Sequence, residues 1–564
     1  MENYLQQITI LYNKKTELKK TKLEKNPIPN QIHFELREYQ KECVNKVIEN
    51  WNRKLPAIIS SQTGSGKTYM AVKAATIWKA NKVIVIGPKS SLTKWRQVLL
   101  DVLPYNKIEV YTYEKWRMCG ILYDNIQYTE KKHEGENVKI INYYPTIHWN
   151  KLITNERVVF ILDEFHKLQK LSQRTMSISA NVNAIVLGNN NSRVLSLSYT
   201  PCDNITNIPN NMYLFGIIQT KKLLEYDRVN NIYNTDGLEN VIKYAEKISG
   251  QTLRIERLKC SQLSCSSGKS VQRDSNRLAG EIFLDYIRPH MVYSCVPDFL
   301  KDPLLIPYYT NYFCRVTKKT EREISAILDF QIRKENIQND FEYKNEKSNM
   351  TILTHIQSSI EKLKTDIYIQ IARDILINIP NSKVPIMILY LNSLDRIMDE
   401  LKEFNPVKIC GEMNVQQRNN SINKFQEHNL DCRVLVATLQ TGGESIDLHD
   451  TSINGKFPRY ILIPPTYSTK PMVQATGRVF RDGVTSKPTI KIIYTTSMNA
   501  LDNIENDYNI EYKFYDTVRN KTNTIKKYHA EGQESVLPCN YASIVSEKIY
   551  KTLLDTQPEN FGFK

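Results

Sequence analysis

Residues 61–68 have the residue types and the spacing of a phosphate-binding loop. They read Ser-Gln-Thr-Gly-Ser-Gly-Lys-Thr and lie between a strand-like apolar run and a helix-like stretch. Glycines let backbone N–H groups approach phosphate oxygens, the lysine places its charge between the β- and γ-phosphates, and the threonine hydroxyl can bind Mg²⁺. A glycine-rich turn formed by chance is the alternative, which the strand, the Lys-Thr pair and the helix together disfavour. We therefore predict a site for ATP and Mg²⁺ formed by Ser61, Gln62, Thr63, Gly64, Ser65, Gly66, Lys67 and Thr68.

Two adjacent acids end another apolar run. Residues 158–162 are apolar, and Asp163, Glu164, Phe165 and His166 follow them directly. One acid can hold the metal through water while its neighbour polarises the attacking water as general base, so we assign Asp163 to Mg²⁺ and Glu164 to the proton. Taken alone, the pair would fit a solvated acidic turn equally well. The phosphate-binding loop upstream makes the catalytic interpretation the favoured one.

The elements that must position these residues follow a βαβ rhythm. Strand-like apolar runs alternate with helix-like stretches, which predicts a parallel sheet with ligands at the carboxyl ends of its strands. The rhythm stops after residue 215 and returns near 386, which predicts a second parallel sheet. The predicted strands are 57–59, 83–86, 158–162 and 194–197 in the first sheet, and 386–390, 434–437, 460–463 and 490–494 in the second.

The fold class expected from this pattern is α/β, with two tandem RecA-like parallel-sheet lobes and a mostly helical insertion between them. A chain of 564 residues is too long for one hydrophobic core, which agrees with several units. The predicted segments are a basic arm (1–30), an ATP-binding lobe (31–215), the insertion (216–375), a second lobe (376–510) and a tail without a usable signature (511–564).

Residues 163–166 resemble the DExH box of superfamily-two helicases and translocases, and further motifs of that family occur in the expected order. Residues 36–40 resemble its adenine-reading motif, with Gln40 in the reading position. Residues 88–95 resemble motif Ia, and residues 198–201 resemble motif III with Tyr199 in place of alanine.

The second half of the chain continues the resemblance. Gly411, Arg418 and Phe425 resemble the segment before motif V, residues 438–448 resemble motif V, and residues 474–481 fit the Q-x-x-G-R-x-x-R pattern of motif VI. Within the family, the Swi/Snf-type ATPases and the transcription-associated ATPases of large cytoplasmic DNA viruses are the most similar. We favour the viral branch or the related cytoplasmic linear plasmids of yeast.

The resemblance implies a role for each matched residue. Arg478 and Arg481 would cross the cleft as arginine fingers, while Gln474 and Asp447 would lie at the nucleotide. A pair of surface arginines on one helix face, bound to nucleic acid, is the alternative. The residues implied in nucleic-acid contact are Lys89, Ser90, Ser91, Thr438 and Gly442, and those implied in coupling the two sites are His166, Ser198 and Thr200.

The charge of the chain bears on its partner. A formal net charge of +16 favours a polyanion such as nucleic acid, although a generally basic solvated surface is the alternative. We favour DNA as the nucleic acid, with RNA as the alternative. Ten cysteines without paired C-x-x-C spacing suggest reduced thiols in the cytoplasm rather than a zinc site or disulfides. We find no apolar run long enough to span a membrane, so no membrane partner is expected.

Two functions fit the motifs. The first is an ATP-dependent helicase or translocase, and the second is an ATPase subunit that acts as a switch in a viral or plasmid transcription complex without separating strands. RNA polymerase or replication proteins are the expected protein partners. A nucleic-acid-binding scaffold with a dead ATPase is disfavoured, because Lys67, Asp163, Glu164, Arg478 and Arg481 are all present.

Overall fold

The computed structural model describes most of the chain between residues 34 and 496. The ranges are 34–122, 126–132, 139–170, 172–202, 204–219, 223–227, 232–253, 268–297, 304–315, 346–439, 446–466 and 469–496, with the single residues 302, 322, 326, 511 and 521. The predicted basic arm lies outside the described residues, as does the predicted tail apart from residues 511 and 521.

The first lobe is built on a six-stranded parallel sheet with the order β10-β1-β7-β6-β2-β3. Two antiparallel hairpins, β4–β5 and β8–β9, lie outside this sheet. The strands are β1 (Ala57–Ile59), β2 (Lys82–Gly87), β3 (Ile108–Thr112), β4 (Ile126–Lys132), β5 (Lys139–Pro145), β6 (Val158–Asp163), β7 (Arg193–Leu197), β8 (Glu225–Asp227), β9 (Ile232–Asn234) and β10 (Val292–Tyr293). The helices are α1 (Glu38–Asn52), α2 (Lys67–Ile77), α3 (Leu92–Leu100), α4 (Tyr113–Leu122), α5 (Ile147–Asn155), α6 (Gln173–Leu187), α7 (Ile208–Leu214), α8 (Asp236–Ser249) and α9 (Gly268–Ile282).

The central strand β6 explains why its sequence is apolar throughout. Successive side chains of a strand point to opposite faces, and helices cover both faces of a parallel sheet. Val158, Phe160 and Leu162 accordingly belong to one buried cluster, and Val159 and Ile161 to the other. The strand thereby delivers Asp163, its last residue, to the edge where ligands bind.

The second lobe is built on another six-stranded parallel sheet, with the order β11-β16-β15-β12-β14-β13. Its strands are β11 (Tyr308–Arg315), β12 (Val384–Ile388), β13 (Val407–Ile409), β14 (Val434–Thr438), β15 (Tyr460–Ile463) and β16 (Thr489–Thr496). Its helices are α10 (Glu346–Asn378), α11 (Leu394–Glu400), α12 (Val415–Gln426) and α13 (Thr469–Val479). Two parallel sheets with helices confirm the predicted α/β fold of two RecA-like lobes.

Each strand predicted from an apolar run is present, and four strands of the two sheets were missed. The missed strands are β3, β10, β11 and β13. Two of them, β10 and β13, have only two and three residues, and in β11 Thr310 and Asn311 separate two pairs of aromatic residues. None of these forms a continuous apolar run, which was the signal used for the others.

The segment predicted as a mostly helical insertion contributes strands and helices to both lobes. Strands β10 and β11 lie within residues 216–375 and form edge strands of the first and second sheets, respectively. Helix α8 contributes to the core of the first lobe through Leu238 and Val241, and α10 to that of the second through Tyr368 and Ala372. The division of the chain into five segments stays a prediction.

A buried ion pair ties one residue of the tail to the second lobe. Lys364 of α10 pairs with Glu511 at 2.8 Å and donates to the carbonyl of Ile493 at 2.7 Å. The other carboxylate oxygen of Glu511 accepts from the backbone N–H and the hydroxyl of Thr495. The side chains of Lys364 and Glu511 are only 2% and 5% exposed, so each charge depends on its partner.

We expect Lys364→Met to lower the free energy of unfolding of the second lobe by about 3–5 kcal/mol, because it leaves the Glu511 carboxylate buried without its cation. Urea denaturation measures the change. Lys362→Met, on the exposed side of the same helix, is the matched control and should change stability by less than about 0.5 kcal/mol. Equal effects of the two substitutions would contradict the role given to the pair.

Among the described residues, no helix combines the length and the apolar character needed to cross a membrane.

Candidate active site between the lobes

The phosphate-binding loop connects β1 to α2 and has the backbone that its glycines allow. Gly64 and Gly66 have φ angles of +81° and +82°, in the left-handed region that residues with a Cβ rarely adopt. Lys67 Nζ donates to the carbonyl oxygens of Ser61 and Gln62 at 2.8 and 2.9 Å, so its charge lies inside the loop. Burial lowers the pKa of Lys67, and the nearby carboxylates of Glu164 and Asp163 oppose this shift.

Gln40 joins the first helix to this loop. Its Nε2 donates to the carbonyl of Ser65 at 2.9 Å, and its Oε1 accepts from the backbone N–H of Arg37 at 3.0 Å. A Cβ at Gly66 would collide with the Gln40 amide, so the glycine is also needed for this close approach. The buried hydroxyl of Ser65 has no hydrogen-bond partner among the described residues, which leaves a polar atom in the loop for a ligand to satisfy.

Asp163 is held by three side chains of the first lobe. Its Oδ2 accepts from Trp95 Nε1 at 2.8 Å, its backbone carbonyl accepts from the Tyr113 hydroxyl at 2.5 Å, and the Ser91 side chain lowers the pKa of its carboxyl group. Burial and the neighbouring Glu164 carboxylate raise the pKa of Asp163 to about 6. A buried carboxylate beside a second one is a group that a divalent cation would stabilise.

Glu164 meets the predicted coupling residues. Its Oε2 lies 3.2 Å from His166 Nδ1, which is also 2.9 Å from the Ser198 hydroxyl. That hydroxyl accepts from the backbone N–H of Thr200 at 3.2 Å. Burial alone would raise the pKa of Glu164, but the hydrogen bond from His166 and the charges of His166, Lys67 and Arg478 lower it to about 2. Glu164 also has a left-handed backbone, with φ +54°, which is uncommon for a residue with a side chain and is a form of stored strain.

The two arginines of the second lobe lie at the cleft in different ways. Arg478 is buried, donates to the carbonyl of Ile446, and places its charge near Lys67 and Glu164. The guanidinium of Arg481 pairs with Asp447 and donates to the carbonyl of Gly477, and burial lowers its pKa to about 10. In this arrangement Arg478 is the arginine whose charge acts on the predicted catalytic groups.

Direct contact between the lobes brings the phosphate-binding loop against the end of α13. A Cβ at Gly477 would collide with the side chain of Thr63, and a Cβ at Gly64 would collide with Arg481. An ion pair between Arg37 and Asp482, 2.7 Å apart, links the same two regions. The predicted nucleotide residue Gln474 lies one helical turn before Gly477 and is half-buried.

We expect Gly477→Ala to reduce kcat at least tenfold, since the added methyl group would push the second lobe away from the loop. Alanine is up to about 1 kcal/mol better than glycine within a helix, so α13 itself should not be weakened. Gly411→Ala is the matched control, because a Cβ there meets no atom within 4 Å. Steady-state ATPase rates compare the two, and a normal kcat for Gly477→Ala would mean that this contact is not needed for turnover.

The residues predicted to touch nucleic acid follow strand ends on both sheets. Lys89 and Ser90 are exposed just after β2, whereas Ser91 is half-buried and its hydroxyl donates to the carbonyl of Pro88. Thr438 ends β14 and is 9% exposed. Gly442 lies outside the described residues. Lys89 and Ser90 thus lie on the surface, where a polyanion could reach them.

Three residues of the site were missed by the sequence reasoning. Trp95 and Tyr113 hold Asp163, and the thiol of Cys295 lies 3.0 Å from the Ser61 hydroxyl. Trp95 belonged to a recognised motif but had no assigned role, and no motif signalled Tyr113 or Cys295.

A phosphate-binding loop, a half-buried acidic pair and cleft-facing arginines on two parallel-sheet lobes define a P-loop ATPase of the two-lobe type. Two family descriptions match the chain: "Type III restriction enzyme, res subunit" at residues 33–203 and "Helicase conserved C-terminal domain" at residues 368–483.

Relatives of known name agree with these family matches. A putative ATP-dependent RNA helicase of Acanthamoeba polyphaga mimivirus is 24% identical, over 86% of this chain and 84% of its own length. A CHD3-type chromatin-remodeling factor of Arabidopsis thaliana is 20% identical over 80% of this chain and 35% of its own length. The Sulfolobus solfataricus SWI2/SNF2 ATPase core in complex with dsDNA aligns over 83% of this chain and 89% of its own, with 15% identity and a TM-score of 0.32.

The chain thus carries the two paired domains of helicase-type ATPases and is similar to superfamily-two helicases and Swi/Snf-like ATPases. It is an ATP-dependent nucleic-acid helicase or translocase, which confirms the first of the two functions considered above.

Proposed function

We propose that ATP is bound by the first lobe and hydrolysed when the second lobe closes on it. Lys67 and the loop around it hold the phosphates, Gln40 reads the adenine, Glu164 activates water, and Arg478 neutralises charge on the γ-phosphate. The observation that carries this assignment is the position of Arg478, a residue of the second lobe whose charge acts on both Lys67 and Glu164 of the first.

We propose Mg²⁺ as the metal, held by Asp163 and Thr68. The donor set fits, because carboxylate and hydroxyl oxygens are the ligands that Mg²⁺ prefers. Burial of Asp163 next to Glu164 supports the same assignment, since it leaves negative charge that a cation would offset. When bound, the metal would neutralise charge on the β- and γ-phosphates.

We propose that the track is nucleic acid, with DNA favoured, contacted through its backbone by Lys89, Ser90, Ser91, Thr438 and Gly442. Backbone contacts carry no base information, so sequence preference is expected to be weak. The net charge of +16 and the exposure of Lys89 and Ser90 support this assignment. The relatives' names do not agree on the nucleic acid. One relative is called a putative ATP-dependent RNA helicase, and the other is called a chromatin-remodeling factor.

We expect nucleic acid to stimulate the ATPase, and the stimulation to weaken steeply between about 50 and 200 mM salt, because each neutralised phosphate releases counterions. The measurement is the ATPase rate with no nucleic acid, single-stranded DNA, duplex DNA and RNA in turn, at matched phosphate concentrations. The largest stimulation by DNA is the expected result. An ATPase rate that no polynucleotide changes would refute the proposed translocase. A larger stimulation by RNA would reverse only the choice of DNA over RNA.

An RNA polymerase or a replication protein is our proposed protein partner, in a cytoplasmic setting. Five cysteines whose side chains the structure describes are buried thiols outside any disulfide, which suits a reducing compartment: Cys43, Cys202, Cys295, Cys410 and Cys432. Co-purification from infected or plasmid-bearing cells, beside a strand-displacement assay on tailed duplexes, tests this proposal.

A further inference from the structure

One face of α13 lies along the first lobe. Lys470, Val473, Gly477 and Arg481 are spaced by three, four and four residues, which places them on a single face of a helix and of the turn that continues it. Lys470 contacts Gln169 and Val473 contacts Tyr199. Gly477 lies against Thr63, and Arg481 lies against Gly64. The second half of this face meets the phosphate-binding loop, and the first half meets residues without an assigned function.

Tyr199 forms an apolar contact across the cleft. It occupies the second position of the Ser-Tyr-Thr-Pro motif, between Ser198 and Thr200. Its side chain packs with Val473 as a separate buried pair, with exposures of 4% and 2%. Since the two residues belong to different lobes, the pair exists only while the lobes are together.

Gln169 forms a polar contact beside it. Its Oε1 accepts from Lys470 Nζ of the second lobe, and its Nε2 donates to the carbonyl of Pro201, directly after Thr200. Its backbone carbonyl accepts from Asn210 at 2.6 Å. Gln169 is 7% exposed and lies three residues beyond His166. One side chain thus joins the segment after the acidic pair, the Ser-Tyr-Thr-Pro segment and the second lobe.

We propose that Tyr199 and Gln169 are positioning residues that stabilise the closed cleft through Val473 and Lys470. We call these four residues the closure seam. The two contacts of the seam, Tyr199 with Val473 and Gln169 with Lys470, join residues outside the phosphate-binding loop, yet they hold the helix that carries Gly477 and Arg478. It therefore sets how often the arginine reaches the nucleotide, without contributing to nucleotide binding by the first lobe. This inference rests on the proposed ATPase cycle.

The experiment compares kcat with nucleotide affinity. Tyr199→Ala should reduce kcat at saturating ATP about tenfold, with and without DNA, because a smaller fraction of molecules is closed. Affinity for ADP, which lacks the γ-phosphate and is bound by the first lobe, should stay within about twofold. Tyr199→Phe keeps the ring and should match the parent. Tyr105→Ala, at an exposed tyrosine of the same lobe, is the matched control.

A double-mutant cycle separates the seam from a local effect on the first lobe. Val473→Ala should also reduce kcat about tenfold. The double variant with Tyr199→Ala should reduce kcat about tenfold rather than about a hundredfold, because both substitutions remove the same contact. Lys470→Met tests the polar contact from the second lobe and remains informative if Tyr199→Ala fails to fold. We expect it to reduce kcat several-fold at unchanged ADP affinity.

The proposal would be refuted if the two substitutions of the cycle reduced kcat additively, or if the Val473 and Lys470 variants bound ADP more weakly than the parent. A parent-like kcat in all three single variants while DNA still stimulates the ATPase would also refute it, and this result would leave the proposed function intact. Failure of the parent chain itself to hydrolyse ATP would instead count against the proposed function.

Discussion

Arg478→Lys is expected to slow ATP turnover by about 10³-fold or more while leaving the affinities for ATP and polynucleotide within a few-fold. Phosphoryl transfer spreads negative charge over the γ-phosphate oxygens, and an arginine inserted there is worth about 10³ to 10⁵ in rate. A lysine keeps the charge but cannot copy the planar, forked guanidinium. Arg478 is buried at the cleft with its charge close to Lys67 and Glu164, so it is well placed for this role.

Steady-state kcat and separate binding titrations test this prediction. Arg396→Lys, at a half-exposed arginine of the same lobe paired with Asp366, is the control and should be silent. Arg481→Lys should also impair turnover, since it weakens the pairing with Asp447 and the bonds to Gly477 that shape the end of α13. Weakened polynucleotide binding with normal turnover at saturation would assign Arg478 to the track instead.

Glu164→Gln is expected to abolish turnover, with a fall in kcat of about 10² to 10⁴, while ATP binding persists. The amide preserves the shape of the side chain but cannot take a proton from water. The pKa of about 2 means that the carboxylate is ionised at neutral pH, the state that a general base requires. The same variant should trap the closed form with ATP bound, because closure precedes the step that is lost.

Single-turnover hydrolysis and binding of a fluorescent ATP analogue measure the two halves of this prediction. Glu42→Gln is the control, since Glu42 is an exposed acid of α1 paired only with Lys46 in the next turn. If Glu164→Gln hydrolysed ATP at the rate of the parent, the general base would have to be a group other than Glu164. Loss of ATP binding would show that Glu164 acts through the loop rather than on water.

Short-range patterns in the chain account for most of the catalytic parts. A strand buried on both faces must be apolar throughout, so runs such as 158–162 and 434–437 could be recognised without the fold. A phosphate-binding loop needs its glycines, lysine and threonine within eight residues, so its chemistry is also local. The edge strands β10 and β13 escaped this reasoning because β10 has only two residues and β13 is interrupted by Lys408.

The contacts that tune the site depend on tertiary structure. Trp95 and Asp163 are 68 positions apart, and Gln169 and Lys470 are 301 apart. Nothing in the local pattern of one residue specifies its partner at such separations, because the order of strands in each sheet and the meeting of the lobes decide which side chains come together. The sequence by itself determined the class of ATPase, and the catalytic residues that it assigned stay a prediction. Only the tertiary structure brought the charge of Arg478 near Lys67 and Glu164 and packed Tyr199 across the cleft.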